Sequence, residues 1–385
     1  MRHARLLPII LVIIFLLAAC DAELDAPAAE APAAEAPVAA TVPQRTAATS
    51  TKAVEIAELF ADFVDDETPG AAVLVSQEDQ LLYTGGFGLA DLEDGTPISA
   101  QTSFHLGSVG KQFTALGIMM LAEQGELDFD DAIGDHLPDL PWGGQITIRQ
   151  LLNHVSGVPD YDEDSDVEDA LFADTDTPGN DDLLAALAQQ DDVAKTPGDA
   201  FAYSNTGYDL LGVLIEQVSG ETYADFMQEN VFAPLKMTHS FAQPKRPRAS
   251  DWVAHSYTEE DGDIVAYDED PLDGLNGSGS IYASVDDLFR YDQALFGGEL
   301  VDLDTFAEAI QPTELNDGEL SYYGFGWELD ADDENVISHS GAWLAFQSCY
   351  VHYMEEQFSV IVLFNQDYED ADPCEIAFEI AGLYE

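Results

Sequence analysis

The sequence predicts an α/β sheet closed by N- and C-terminal segments of the chain, with a helical insertion between them. Three observations carry this expectation. Two short apolar runs, 71–76 and 81–87, flank Gln77, Glu78, Asp79 and Gln80 and read as a β-hairpin. Strand-like runs recur late, at 343–353 and 358–364. The middle, from about 145 to 235, carries helical apolar spacing broken by acidic loops.

Taken in order, Arg2 and Arg5 precede an apolar run, 6–17, of signal-peptide length and too short for an obvious membrane span. It ends in Leu17-Ala18-Ala19-Cys20, which resembles a bacterial lipobox. That resemblance implies export, lipidation of Cys20 and a lipid anchor on the periplasmic or cell-surface side of a bacterial membrane. The plainer alternative is an ordinary signal peptide with an incidental Cys20. Residues 21–51 are rich in Ala, Pro and Glu, cannot bury a core and read as a disordered tether. The domain is expected over 52–385. Ile56, Leu59, Phe60 and Phe63 predict an amphipathic helix over 54–64. Phe113, Leu116, Ile118, Met119, Met120 and Leu121 predict a buried helix over 109–124, stopped at Gly125. A last helix is expected over 373–384. Besides Cys20 the chain has Cys349 and Cys374. An even pair in an exported chain predicts a disulfide, closing a loop of about 25 residues for roughly 3 kcal/mol.

Charge excludes some functions. Asp and Glu number 75 against 12 Lys and Arg, a net −63. Such a surface repels nucleic acid, and no basic patch offsets it. It also repels itself, which high salt screens; a salty habitat is expected, with a merely acidic secreted protein as the plainer alternative. Hydrophobic content of 46 % keeps the domain globular.

Chemistry gathers at three places. Ser108 stands where a helix starts, and Lys111, three residues on, shares its face. A serine hydroxyl is a weak nucleophile until a base takes its proton. A lysine serves only when burial or nearby positive charge lowers its pKa. Of the five lysines, Lys52, Lys111, Lys195, Lys236 and Lys245, only Lys111 follows a serine at that spacing, and its surroundings are apolar. The second place is Tyr203-Ser204-Asn205, a phenol that can shuttle a proton beside an amide that can donate and accept. The third is His339-Ser340-Gly341-Ala342, just before the strand expected from Trp343. Gly341 lets a substrate backbone approach, and the next N–H can form one arm of an oxyanion hole. Singly, a helix cap, a packed loop tyrosine and a strand end explain each one.

Together, Ser-x-x-Lys, Tyr-x-Asn and His-x-Gly, in this order, resemble the serine β-lactamase and penicillin-binding-protein superfamily, nearest its class C β-lactamase-like branch. The resemblance spans roughly 53–385 and includes segments 150–161 and 277–284. It implies a β-lactamase/transpeptidase-like fold: an antiparallel sheet flanked by N- and C-terminal helices, plus a mainly helical subdomain. It implies that Ser108 is acylated, that Lys111 and Tyr203 share acid and base work, and that Asn205 holds a substrate amide. His339 and Gly341 would line the opposite wall on an edge strand, with the backbone N–H groups of Ser108 and Ala342 as the oxyanion hole. Substrates would be cell-wall D-Ala-D-Ala peptides, β-lactams, D-amino-acid peptides or small esters, handled by a monomer without metal or organic cofactor. His339 stands where many members carry lysine, and it would be largely neutral at pH 7. Ala345 stands where another glycine is common. A sensing lipoprotein that binds penicillins without turnover is the alternative.

Other hydrolase patterns are missing. No serine has a Gly-x-Ser-x-Gly context, and no His-Glu-x-x-His occurs. His154 reads as structural. Asp160, Asp162, Asp164 and Asp166 alternate like a calcium loop but lack its glycine and closing glutamate, so they read as a solvated acidic loop that can border the cleft and disfavour anions. The charge makes a prediction: raising KCl from about 0.1 M to molar levels lifts the thermal midpoint by several degrees. A midpoint unmoved by salt in a calorimetric series would contradict the self-repulsion argument.

Overall fold

The computed structural model describes residues 51–243, 252–260, 262–368 and 371–384. The expected signal segment, Cys20 and nearly all of the tether lie outside the described residues. Among the described residues, no helix is long and apolar enough to cross a membrane.

Six strands form one antiparallel sheet: β1 (Ala71–Gln77), β2 (Gln80–Phe87), β3 (Glu328–Leu329), β4 (Val336–Trp343), β5 (Phe346–Tyr353) and β6 (Phe358–Phe364). Their order is β3-β4-β5-β6-β1-β2. The two ends of the domain meet at its centre, where Ala71 pairs with Phe364 and Gln77 with Phe358. β1 and β6 are apolar without alternation because both faces are covered. Val73, Val75, Val360 and Val362 face one way, against Ile56 and Phe60 of α1 (Thr51–Phe60) and Ile376 and Ile380 of α5 (Pro373–Gly382). Ala72, Leu74, Ile361 and Leu363 face the other, into a core shared with α2 (Lys111–Glu123), α3 (Asn205–Ser219) and α4 (Val285–Phe296). This is the expected α/β architecture, helices from both ends of the chain included.

The mainly helical part holds Ile148–Leu152, Ser165–Leu171, Asn180–Leu187 and α3. α3 starts where the Ser204 side chain accepts the Gly207 N–H, and it stops at Gly220, which takes a left-handed φ of 76°.

One expectation needs correcting. The run read as a single strand from Trp343 is two strands, turning at Leu344 (φ 55°) and Ala345. Continuous apolar character from Trp343 to Phe346 hid the turn. The preceding Val336–Trp343 alternates serine, histidine and glycine, so it showed no apolar run. His339, Ser340, Gly341 and Ala342 therefore lie inside β4, not ahead of a strand.

A disulfide joins Cys349 of β5 to Cys374 of α5 across 25 residues of sequence. Reduction should therefore lower unfolding stability by about 3 kcal/mol in denaturant titrations run with and without reductant. Coincident curves would show that the link leaves the unfolded chain unconstrained.

Candidate active site

Ser108 lies on a tight turn, Gly107–Gly110, between strand Ser103–His105 and α2. The turn is pressed backbone to backbone on β4. A Cβ on Gly107 (φ 52°) would sit 2.6 Å from the Ala342 nitrogen, and one on Gly341 would sit 2.9 Å from the Ser108 nitrogen. Only glycine allows either approach. The Val336 carbonyl accepts the Asp330 N–H on the β3 side of β4. The two-residue repeat turns the N–H of Ala342 to that same edge. β3 pairs only with Ser338 and Ile337, so the Ala342 N–H faces the Ser108 turn instead of a strand. The N–H of Ser108 is among the first of its helical turn, where no intrahelical acceptor exists. Two backbone donors thus stand beside one hydroxyl.

Lys111 opens α2 and is fully buried. Its Nζ lies 3.1 Å from Ser108 Oγ, 2.8 Å from Asn205 Oδ1 and 2.8 Å from the Ser278 carbonyl. Burial pulls its pKa down to about 7, opposed by Asp209, Asp160 and Asp162. The partners define what the neutral amine does. An amide oxygen and a carbonyl can only accept, so they take its two N–H groups. The lone pair then points at the Ser108 hydroxyl, the one partner able to donate.

Tyr203 is 38 % exposed, yet its hydroxyl turns inward to hydrogen-bond with Ser108. Burial of that end raises the phenol pKa, so it stays protonated at neutral pH. Its ring centroid is 4.8 Å from Lys111 Nζ and 4.2 Å from the His154 ring. His154 is buried among Tyr203, Tyr208 and Tyr323, and its Nδ1 accepts the Ser204 N–H at 3.1 Å. Burial holds its pKa well below the ordinary value.

His339 is also buried, and burial drops its pKa to about 3. Its Nδ1 donates to the Ser340 carbonyl at 2.6 Å, so Nε2 accepts from the Tyr323 hydroxyl at 2.8 Å. Both nitrogens are used within the protein, beneath the Tyr203 ring at 6.4 Å between centroids. Ser108, Lys111, Tyr203 and Asn205 come together, with Gly341 and Ala342 against the turn.

Sequence reasoning missed Asp209 and gave Asp162 no role beyond its acidic loop. Asp209 is buried, accepts the Ser278 N–H at 2.7 Å and the Tyr161 hydroxyl at 2.8 Å, and is raised by burial to about 6. Its signal was available: it lies one helical turn beyond Asn205, so both face Lys111. Asp162 accepts from Asn205 Nδ2 at 2.9 Å. The acidic loop is tied to the site, with Asp160 accepting the Thr206 N–H at 3.4 Å. Among the described residues, no group of His, Cys, Asp and Glu is arranged to hold a metal ion.

The sheet and the hydroxyl–amine–phenol cluster define a serine-hydrolase-type enzyme. A family model described as Beta-lactamase matches residues 56–384, and the chain belongs to that family. It is 34 % identical to Penicillin-binding protein 4* of Bacillus subtilis over 335 residues, covering 82 % of this chain and 72 % of that one. Two solved structures share the fold. The octameric penicillin-binding protein homologue from Pyrococcus abyssi has a TM-score of 0.72 at 26 % identity, over 87 % of this chain and 76 % of that one. The penicillin binding protein from Bacillus halodurans gives 0.71 at 26 % identity, over 85 % and 98 %.

The rate at which a fluorophosphonate labels Ser108 should fall as pH drops through about 7, where Lys111 gains its proton. In Asp209→Asn the ammonium loses a stabilising charge, so that limb should move roughly one unit lower. A limb moving upward, or none at all, would separate Asp209 from the lysine.

Proposed function

We propose that the protein is a hydrolase working through an acyl-enzyme on Ser108. The observation that supports this best is a buried lysine held near neutrality, 3.1 Å from a serine hydroxyl, with its other contacts to pure acceptors. As the neutral amine, Lys111 takes the Ser108 proton while Oγ attacks the substrate carbonyl. The oxyanion is met by the N–H groups of Ser108 and Ala342, each contributing roughly 3 kcal/mol. Tyr203 hands its proton to the leaving group and is resupplied from Lys111. Water then attacks the Ser108 ester, its proton returning along the same path, and the acid is released. Asn205 gives one Nδ2 N–H to Asp162, and the second would meet the carbonyl of a substrate amide. His339 acts from beneath the wall, keeping β4 and Tyr323 in place.

Of cell-wall D-Ala-D-Ala peptides, β-lactams and small esters, charge favours small esters and related amides. The first two carry a carboxylate, and His339 supplies no cation for it. A second reading, a penicillin-binding sensor that keeps its acyl group, draws support from the names of the relatives. Export and anchoring through Cys20, and a monomeric state, belong to the same proposal.

Labelled penicillin and fluorophosphonate, followed by intact mass, test both readings. An adduct lost in Ser108→Ala is expected, with prompt release of acyl groups that can be hydrolysed; a persistent adduct without turnover selects the sensor. Ser108→Ala and Lys111→Ala should each lower turnover by roughly 1000-fold, and the double variant little further, because the two act as one unit. Losses that multiply would break that coupling.

A further inference from the structure

Away from the nucleophile, a hollow of about 620 Å³ opens beside the segment that carries Ser278. Its walls come from the end of α3, residues 220–225 just beyond it, the first turn of Asn180–Leu187 and residues 274–276. They bring five carboxylates, Asp181, Asp182, Glu216, Glu221 and Asp225. Among the described residues, no lysine, arginine or histidine lines it.

Most of these walls are tied down from within. Asn180 is buried and uses its whole amide. Its Oδ1 accepts the Asn276 N–H at 2.9 Å, and its Nδ2 donates to Glu216 Oε2 at 3.1 Å and to the Asn276 carbonyl at 3.3 Å. Glu216 Oε1 accepts the Tyr223 N–H at 2.8 Å. Asp182 accepts the Gly179 N–H at 2.9 Å, and Asp225 the Thr222 hydroxyl at 2.7 Å. Two acceptors are left over. Asn276 is 7 % exposed, and its Nδ2 donates to the Gly274 carbonyl at 3.2 Å. That bond fixes the amide and leaves its buried Oδ1 without a partner. Glu221 Oε2 is likewise buried and unpartnered. Leaving a buried acceptor unpaired is costly, most of all when it is charged. The wall therefore calls for a donor that brings positive charge.

The arrangement decides which kind of cation. A metal ion needs its oxygens gathered round one point, and among the described residues no such group of carboxylates occurs. Here the acceptors are spread over the wall of an open space. An alkylammonium offers three N–H donors, and a flexible chain carrying several of them reaches carboxylates that one ion cannot bridge.

We infer that this hollow binds an aliphatic polyamine, whose ammonium groups pair with Glu221 and donate to Asn276 Oδ1. The site stands independently of the acyl-enzyme reading, yet it shares a wall with the base. The next two carbonyls after Asn276, those of Gly277 and Ser278, accept from the Thr114 hydroxyl at 2.6 Å and from Lys111 at 2.8 Å.

Equilibrium dialysis of the whole protein against radiolabelled spermidine tests this. At about 0.1 M KCl the diffuse surface field is screened beyond about 10 Å, and binding should saturate at one tight equivalent. Glu221→Gln keeps the shape of the side chain and removes its charge, so it should raise Kd about tenfold. Asn276→Ala should raise it severalfold; should that variant fail to fold, Glu221→Gln still decides. Glu355→Gln makes the same charge change in the exposed turn between β5 and β6 and should leave Kd within about twofold. Equimolar Mg²⁺ should not displace the amine. Absent or unsaturable binding would overturn the inference, as would equal weakening in Glu221→Gln and Glu355→Gln, the mark of diffuse surface charge. Displacement by equimolar Mg²⁺ would overturn it too, by making this a metal site.

Discussion

Everything at the site depends on keeping the Lys111 amine out of water. A solvated lysine holds its proton at neutral pH and cannot serve as a base. Here burial removes that preference, and three segments distant in sequence supply the partners: the turn at Ser108, Asn205 opening α3 and the carbonyl of Ser278. The third partner needs its own support. α3 and the 276–279 segment approach so closely that a Cβ on Gly212 would fall 1.9 Å from the Asn276 oxygen, and one on Gly277 would fall 2.2 Å from that of Tyr208. The two glycines permit the approach, and Asp209 then fixes Ser278 by its N–H. The amine is thus positioned by the fold as a whole, through segments far apart in sequence.

The same constraint explains two buried neutral histidines. Burial lowers the pKa of both His154 and His339, and the Lys111 charge facing them in a low dielectric lowers it further. Kept neutral, each ring packs as an aromatic surface. His154 supports the Tyr203 ring from one side, and Tyr323 links His154 to His339. Tyr203 can then expose one face to the cleft while its hydroxyl stays on Ser108.

Much of this was legible in the sequence, and the rest was hidden for identifiable reasons. Central strands such as β1 and β6 announce themselves, because burial on both faces demands an unbroken apolar run. β4 did not, since a strand with most of one side turned to a site spends its residues on polar and glycine positions. Ser108 and Lys111 were legible because both lie on one helical turn. Asp209 followed from the same spacing but had no motif to mark it, since its role emerges only when Ser278 arrives from 69 residues away. The acidic loop was read as solvated, correctly for its exposure, but a sequence cannot show that one of its carboxylates reaches the Asn205 amide.

The chain's charge and the amine of Lys111 act at different ranges. A net charge of −63 spread over the surface attracts protons everywhere, which would raise any lysine pKa. Salt screens that distant field within about 10 Å at 0.1 M, and more tightly at higher concentration. Desolvation of Lys111 is not screened, and its interaction with Asp209, buried like the amine, is screened little. Stability therefore follows the ambient salt, because it depends on the whole surface. The protonation of the nucleophile's base follows contacts of about 3 Å, and this local control lets a strongly acidic protein keep an amine poised near neutrality while its surroundings change.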